Sequence, residues 1–172
     1  AERKLAAGLA KVYIAVVRGT PILVWAFFFY FGVPQLIGHS VNIWVAGALT
    51  LSLNSGAYLA EIVRGAVQSV DSGQMEGARS LGLNHRQAMR RVILPQASKI
   101  AMPSIINQLV IMIKDSSLLL AIGFGELLYQ AQQLYAANFR VTETLLIVGV
   151  MYFVAITILT WLANIVDRKV NR

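Results

Sequence analysis

Stretches without a charged side chain most constrain what this chain can fold into. Residues 41–60 are twenty consecutive uncharged residues. As an α-helix they would extend over about 30 Å, the thickness of the hydrocarbon core of a bilayer. Residues 22–37 and 144–166 are also uncharged and mostly apolar, and residues 100–113 form a shorter apolar run. The pattern predicts an all-α, polytopic membrane protein. We expect a single transmembrane domain over residues 1–172 with about four spans, near residues 20–37, 41–63, 98–120 and 143–166.

The composition agrees with a membrane protein and excludes several kinds of chemistry. Hydrophobic residues make up 57% of the chain and charged residues 13%, which lies outside the range of ordinary soluble domains. There is no cysteine, so disulfides, zinc–thiolate sites and thiol nucleophiles are excluded. The sequence contains no G-x-x-x-x-G-K-[ST] motif, so the chain cannot bind ATP through a P-loop. We therefore predict no catalytic residue, no metal site and no cofactor in this chain.

The distribution of basic residues predicts the orientation in the membrane. Residues 1–18, 64–99 and 167–172 hold thirteen of the fifteen Lys and Arg residues. Because basic segments stay on the cytoplasmic side, the loop after the second span and the C-terminus are predicted to face the cytoplasm. The net charge of +7 then reflects topology, and no nucleic acid partner is expected. His39 and His85 would lie on opposite sides of the membrane, so they cannot share a metal.

The polar, basic segment of residues 71–95 is patterned like folded structure. Two pairs have the spacing of a helix N-cap and its partner three residues later: Asp71 with Gln74, and Asn84 with Gln87. Gly82 stands where the first helix needs a left-handed residue, and Pro95 is predicted to end the second helix. Two short helices joined at a glycine would offer a cytoplasmic protein a rigid element to grip. A basic loop that binds lipid headgroups is the alternative.

The same segment carries a motif with a known counterpart. Its spaced residues are Glu76-Gly77-Ala78, Gly82, Val92 and Leu94-Pro95. This spacing resembles the "EAA" loop of permease subunits in bacterial ABC importers. Further blocks resemble the polar amino acid branch of that family: Arg18-Gly19-Thr20-Pro21, residues 57–65, Gly73-Gln74, Leu94-Pro95-Gln96-Ala97 and residues 114–118. The sequence departs from the family at Gly77, where Ala is usual, and at Val92, where Ile is usual.

The resemblance implies a function and a set of partners. It implies a permease subunit of an ATP-driven importer of polar amino acids in the bacterial inner membrane, working by alternating access. The implied partners are a second permease subunit (the same chain or a different one), two ATP-binding subunits that hold ATP and Mg, and an extracytoplasmic solute-binding protein. Family members usually have a further span before residue 1. The implied ATPase-coupling residues are Glu76, Gly77, Ala78, Arg79, Gly82, Leu94 and Pro95.

One polar stripe lies on the second predicted span. Asn54, Tyr58 and Glu61 are spaced i, i+4 and i+7, so they share one helix face. Polar groups at membrane depth are costly unless they face the bundle interior or a wet pathway, so the stripe is a candidate substrate pathway. In this interpretation, Glu61 meets the ammonium or a basic side chain of a passing amino acid. The alternative is that Glu61 only pairs with Arg64 at the inner interface.

A second polar stripe is predicted on the third span. Ser104, Gln108 and Asp115 are expected on one face, and Lys114 is expected to pair with Asp115. The family resemblance places these residues near the gate and the substrate pathway. We favour a gate or structural ion pair, and direct contact with substrate is the alternative. Pro103 removes one backbone hydrogen bond from the same helix and is expected to allow a kink.

Two other functions remain open at this point. An ion-coupled secondary transporter would also have polar stripes near the midplane. A motorless membrane channel subunit would not need the tight spacing of the loop. Dependence of transport on ATP separates both from an ATP-driven importer.

Overall fold

The computed structural model describes the backbone of residues 2–170 and the side chains of residues 5–165. Within that part of the chain every regular element is helical, which confirms the predicted all-α class. Arg3, Lys4, Arg168, Lys169 and Arg172, which contributed to the predicted orientation, lie outside the described side chains.

The first apolar run is broken rather than straight. Two residues separate helix α1 (Glu2–Gly19) from α2 (Ile22–Phe27). The helical arm Ile22–Ile37 is bent by 105° from Leu5–Gly19. Pro21 causes the break, because a proline disfavours the α conformation of the residue before it and is favoured at the start of a new helix. A π-helical turn (Phe28–Gly32) then leads into α3 (Val33–Ile37). The predicted span at 20–37 is therefore one arm of a bent pair.

Two helices form the centre of the fold. Helix α4 (Ile43–Gln68) packs along α7 (Leu94–Asp115) through small side chains, with Ala66, Ala97 and Ala101 buried between them. Small residues let the backbones approach closely, which is how helices associate in a membrane. Helix α1 is fixed to α4 by the Tyr13 hydroxyl, which donates to the Leu53 carbonyl at 2.6 Å.

The loop between α4 and α7 forms the two predicted helices. In α5 (Ser72–Ser80), the Asp71 carboxylate accepts from the Gly73 amide at 2.7 Å, although Gln74 does not complete the reciprocal capping pair. The helix ends at Ser80 and is followed by Gly82, whose φ is +86°, and the Leu83 amide donates to the Ala78 carbonyl at 3.2 Å. This is the geometry of a Schellman cap.

The second loop helix does not end where the sequence predicted. Helix α6 (His85–Ala88) begins with a complete Asn84–Gln87 capping box, passes through a π-helical turn (Met89–Ile93) and continues directly into α7. Pro95 is thus the second residue of α7, and the prediction that it ends the helix is wrong. The physical reason is the π-turn, which changes the hydrogen-bond register just before the residue that lacks an amide proton.

Beyond α7 the chain turns twice at the far end from the loop. A 3₁₀ segment (Ser116–Ile122) leads to α8 (Leu127–Asn138), followed by α9 (Val141–Val170). The Glu126 carboxylate caps α8 by accepting from the Leu128 and Tyr129 amides at 2.8 and 2.6 Å. It also accepts from the Tyr152 hydroxyl at 2.8 Å, which fixes α8 to α9.

The exposed surface requires a bilayer. In the described part of the chain, three helical stretches are long and apolar enough to cross a membrane: Ile43–Gln68, His85–Ile122 and Val141–Ile165. The bent pair of α1 with α2–α3 makes a fourth if it counts as one span. Large apolar side chains such as Leu146, Phe153 and Trp161 are more than half exposed. Soluble monomers rarely expose so large an apolar surface to water. The third predicted span, 98–120, lies within the second of these stretches.

Candidate functional site

A polar cavity lies where α4, α7 and the break after α1 meet. It has a volume of about 470 Å³. Helices α4 and α7 run antiparallel, so the middle of α4 stands beside the end of α7 that is far from the loop. The cavity is lined by Asn54, Tyr58, Gln108, Ile111, Asp115 and the chain from Arg18 to Ile22. We call this the polar cavity.

The polar cavity contains hydrogen-bond donors and acceptors, both neutral and charged. Asn54 and Gln108 are 7% and 5% exposed and supply amide donors and acceptors, while the Tyr58 hydroxyl can do both. Asp115 supplies a carboxylate and Arg18 a guanidinium. A small zwitterion in this cavity would meet a cationic group, an anionic group and neutral polar groups.

A second chamber adjoins the first on the side of the loop. It has a volume of about 650 Å³, and its charged lining residues are Lys11, Arg18, Glu61 and Arg64. Gln68, near the end of α4, marks its loop-side edge. We call it the ionic cavity. Arg18 lines both chambers.

Glu61 is held tightly in the ionic cavity. The Arg64 Nε donates to Glu61 Oε1 at 2.9 Å, and Arg64 Nη2 donates to Oε2 at 2.7 Å. Arg18 Nη1 lies 3.3 Å from the same Oε2, and the Arg18 guanidinium carbon lies 5.1 Å from the centre of the Tyr58 ring. The structure therefore contains the Arg64 pairing that sequence reasoning left open, and it adds Arg18. The role of Glu61 in transport stays a prediction.

The second predicted stripe is only partly assembled. Gln108 and Asp115 line the polar cavity, but Ser104 is exposed and does not. The predicted ion pair of Lys114 with Asp115 is wrong, because the ion pairs among the described side chains are those of Glu61 with Arg18 and Arg64. Consecutive residues on a helix point in different directions, so neighbours in sequence do not face each other.

The predicted coupling residues form a surface on the loop. Ala78 is buried and anchors α5, whereas most of the set is exposed. The Gln96 side chain of α7 donates to the Gln74 side chain of α5 at 3.2 Å, which ties the loop to the central helix. The exposed members of the set are Glu76, Gly77, Arg79, Gly82, Leu94 and Pro95.

Sequence reasoning missed Arg18 and the residues after it. Arg18 was noted as a basic residue and as part of a family block, but not as a site residue. The available signal was a charged residue directly before a Gly-Thr-Pro break between two apolar runs. A proline break exposes backbone and redirects the chain, and such interruptions in membrane helices commonly mark binding regions.

Similarity searches relate the chain to known proteins. The family model described as "Binding-protein-dependent transport system inner membrane component" matches residues 1–172. The arginine transport system permease protein ArtQ of Bacillus subtilis (strain 168) is 39% identical over 163 residues, covering 95% of this chain and 74% of ArtQ. The glutamine transport system permease protein GlnP of Escherichia coli (strain K12) is 40% identical over 164 residues, covering 95% of this chain and 75% of GlnP.

Two solved structures are similar in three dimensions. One is described as the crystal structure of an amino acid ABC transporter with histidines, and matches with a TM-score of 0.88 at 40% identity, over 94% of this chain and 75% of that one. The other is an inward-facing form of the MetNI methionine ABC transporter, with a TM-score of 0.79 at 20% identity over 98% of this chain and 77% of that one. At that identity the second likeness concerns the fold alone.

Proposed function

Since the chain belongs to the family of inner membrane components of binding-protein-dependent transport systems, we propose that it is a permease subunit of an ATP-driven importer of polar amino acids. The single observation that carries the substrate class is the polar cavity. It combines a guanidinium, a carboxylate and two buried amides at the depth of the membrane-spanning helices α4 and α7. Relatives named as arginine and glutamine permeases support the same class.

The polar cavity fits the common part of an amino acid. A carboxylate accepts well from a guanidinium, and an ammonium is stabilised by a carboxylate, so Arg18 and Asp115 suit the two ends of a zwitterion. Asn54, Tyr58 and Gln108 would hydrogen-bond a polar side chain. Glu61, in the adjoining ionic cavity, is the next acidic group on the way to the loop. We do not assign a covalent step to any of these residues, since transport needs none.

Coupling to ATP is assigned to the loop of residues 71–95. Helix α5 is capped at both ends and tied to α7, so it can act as one rigid body. Exposed Glu76, Gly77 and Arg79 would lie in a groove of an ATP-binding partner, which holds ATP and Mg. Two such partners, a second permease subunit and an extracytoplasmic binding protein complete the transporter. The loop and the C-terminus then face the cytoplasm.

Alternating access follows from this arrangement. Closure of the ATP-binding subunits would move the loops, and the helices joined to them would shift the population from an inward-open to an outward-open state. The polar cavity would be open to the binding protein in one state, and the ionic cavity open to the cytoplasm in the other.

The test is Glu76→Lys in the complete transporter reconstituted in proteoliposomes. Glu76 is exposed and would contact the groove of the ATP-binding partner. Reversing its charge should abolish ATP-driven uptake while this chain remains folded and inserted. Glu143→Lys is the matched control: it makes the same substitution at an exposed residue in the first turn of α9, away from the loop. It should retain uptake.

Each result has a definite meaning. Loss of uptake in Glu76→Lys with normal uptake in Glu143→Lys supports the coupling role. Wild-type uptake in both variants refutes it. Uptake by the wild-type transporter that needs an ion gradient instead of ATP would favour a secondary transporter, and uptake that needs neither would favour a channel.

A further inference from the structure

Arg18 occupies the boundary between the two cavities. It is in the last turn of α1, directly before the 105° break, and it lines both the polar and the ionic cavity. Its guanidinium lies between Glu61 of the ionic cavity and Tyr58 of the polar cavity. The polar cavity extends from there toward Asp115, at the end of α7 far from the loop. The ionic cavity extends toward Gln68, at the loop end of α4. Among the described residues, Arg18 is the one that the linings of the two cavities share.

The Arg18 side chain is held less tightly than its neighbours. Glu61 receives two hydrogen bonds from Arg64, at 2.9 and 2.7 Å, whereas its contact with Arg18 is 3.3 Å. The remaining contact of Arg18 is with the face of Tyr58, and its side chain is 40% exposed. If Arg18 leaves, Glu61 keeps a bidentate partner, so its charge stays compensated. Arg18 can therefore move without leaving a bare carboxylate.

We propose that Arg18 is a movable partition between the polar and ionic cavities, closed while its guanidinium lies between Glu61 and Tyr58. The proposal rests on the transport function proposed above. The carboxylate of an amino acid in the polar cavity competes with Glu61 for the same guanidinium, because both are carboxylates and the substrate can accept two hydrogen bonds from it. Substrate thus draws the partition aside, and an empty transporter stays closed.

The absence of cysteine makes the partition measurable. Ile111→Cys places a thiol in the polar cavity, and Ala15→Cys places one in the ionic cavity. A membrane-impermeant methanethiosulfonate reagent is added to the loop side of inside-out vesicles that contain the complete transporter without ATP. Labelling is read as a mass shift of this chain alone, so cysteines in partner subunits do not interfere.

The expected result is a difference between the two thiols that depends on Arg18. Ala15→Cys should react at the same rate with Arg18 or with Arg18→Ala. Ile111→Cys should react slowly with Arg18 and on the order of tenfold faster with Arg18→Ala, the change expected for losing one charged contact in an open–closed equilibrium. Arg18→Lys should restore slow labelling. Glu61→Gln should speed labelling of Ile111→Cys without shortening any side chain, and so covers misfolding of Arg18→Ala.

The contrary results are equally clear. Equal labelling of Ile111→Cys with and without Arg18, or in Glu61→Gln, overturns the partition. Protection of Ala15→Cys from the loop side also overturns it, because the ionic cavity would then not open to that side. Neither result bears on the Glu76→Lys test, since labelling requires no ATP and no transport. Conversely, failure of ATP-driven uptake leaves an observed partition intact.

Discussion

Gly47 tests how closely the bundle is packed at the end far from the loop. It is buried in α4 beneath the ring of Phe124. A methyl group at this position would lie 2.5 and 2.7 Å from two ring carbons of Phe124, and 3.3 Å from a methyl of Leu119. The two separations from Phe124 are far below van der Waals contact, and the one from Leu119 is slightly short. Gly47→Ala therefore forces the ring to move.

The ring has little room to do so. Phe124 packs edge-on against Trp44, with ring centres 4.6 Å apart, and against the buried cluster that contains Leu119. Overpacking of this kind costs about 1–3 kcal/mol. Alanine in place of glycine inside a helix gains roughly 1 kcal/mol by itself. The net effect of Gly47→Ala is therefore a smaller loss than the overpacking alone.

A matched control separates the two contributions. Gly65→Ala makes the same change in the same helix, at a position with nothing within 4 Å of the added methyl. It should stabilise the protein by roughly 1 kcal/mol. The difference between the two variants, about 1–3 kcal/mol, measures the clash with Phe124. Equilibrium unfolding in mixed detergent–SDS micelles gives both free energies, and equal shifts for the two variants would refute the packing described here.

Four further substitutions test the helix caps, the loop helix α5 and the anchor between α8 and α9. Tyr152→Phe removes the hydroxyl that donates to Glu126, and should lower the free energy of unfolding by about 1.5 kcal/mol in the same assay; no change would mean that the bond is not formed. Gly82→Ala strains a left-handed residue by about 1–2 kcal/mol and should speed amide hydrogen exchange in α5, whereas Gly77→Ala, which meets no neighbour, should slow it. Asn84→Ala should cost about 1 kcal/mol and speed exchange in α6 alone.

The fold class and the family were predictable because they depend on local patterns. Uncharged runs of membrane length predict helices, and the short segments between them leave little room for strands. The structure confirms the all-α class in the described part of the chain. The family resemblance rested on short blocks such as Gly82 with Leu94-Pro95, and it is also confirmed. The capping box at Asn84 was predictable for the same reason, since both partners lie within one turn.

The errors occurred where the outcome depends on the surrounding helix. Pro95 normally stops a helix, but a π-turn before it changed the hydrogen-bond register, and no residue pattern signals that turn. The expected Lys114–Asp115 pair failed because adjacency in sequence was taken for adjacency in space. Arg18 was missed as a site residue because its importance comes from the direction of α1, which brings it beside Glu61, forty-three residues later in the chain.

The continuity of the helix through Pro95 determines how the loop can act on the cavities. If the helix had ended there, movement of the loop would reach the membrane through a flexible joint. Instead, the chain is helical without interruption from His85 to Asp115, about 45 Å at the helical rise. On the proposed function, a displacement of α6 would be carried along this helix to Gln108 and Asp115 in the polar cavity. The π-turn at Met89–Ile93 and Pro103 are the two places where that helix can bend. Replacing Pro103 with Ala should stiffen α7 and so change the amount of ATP hydrolysed per amino acid taken up. If a flexible joint separated the loop from α7, the same substitution would leave that ratio unchanged.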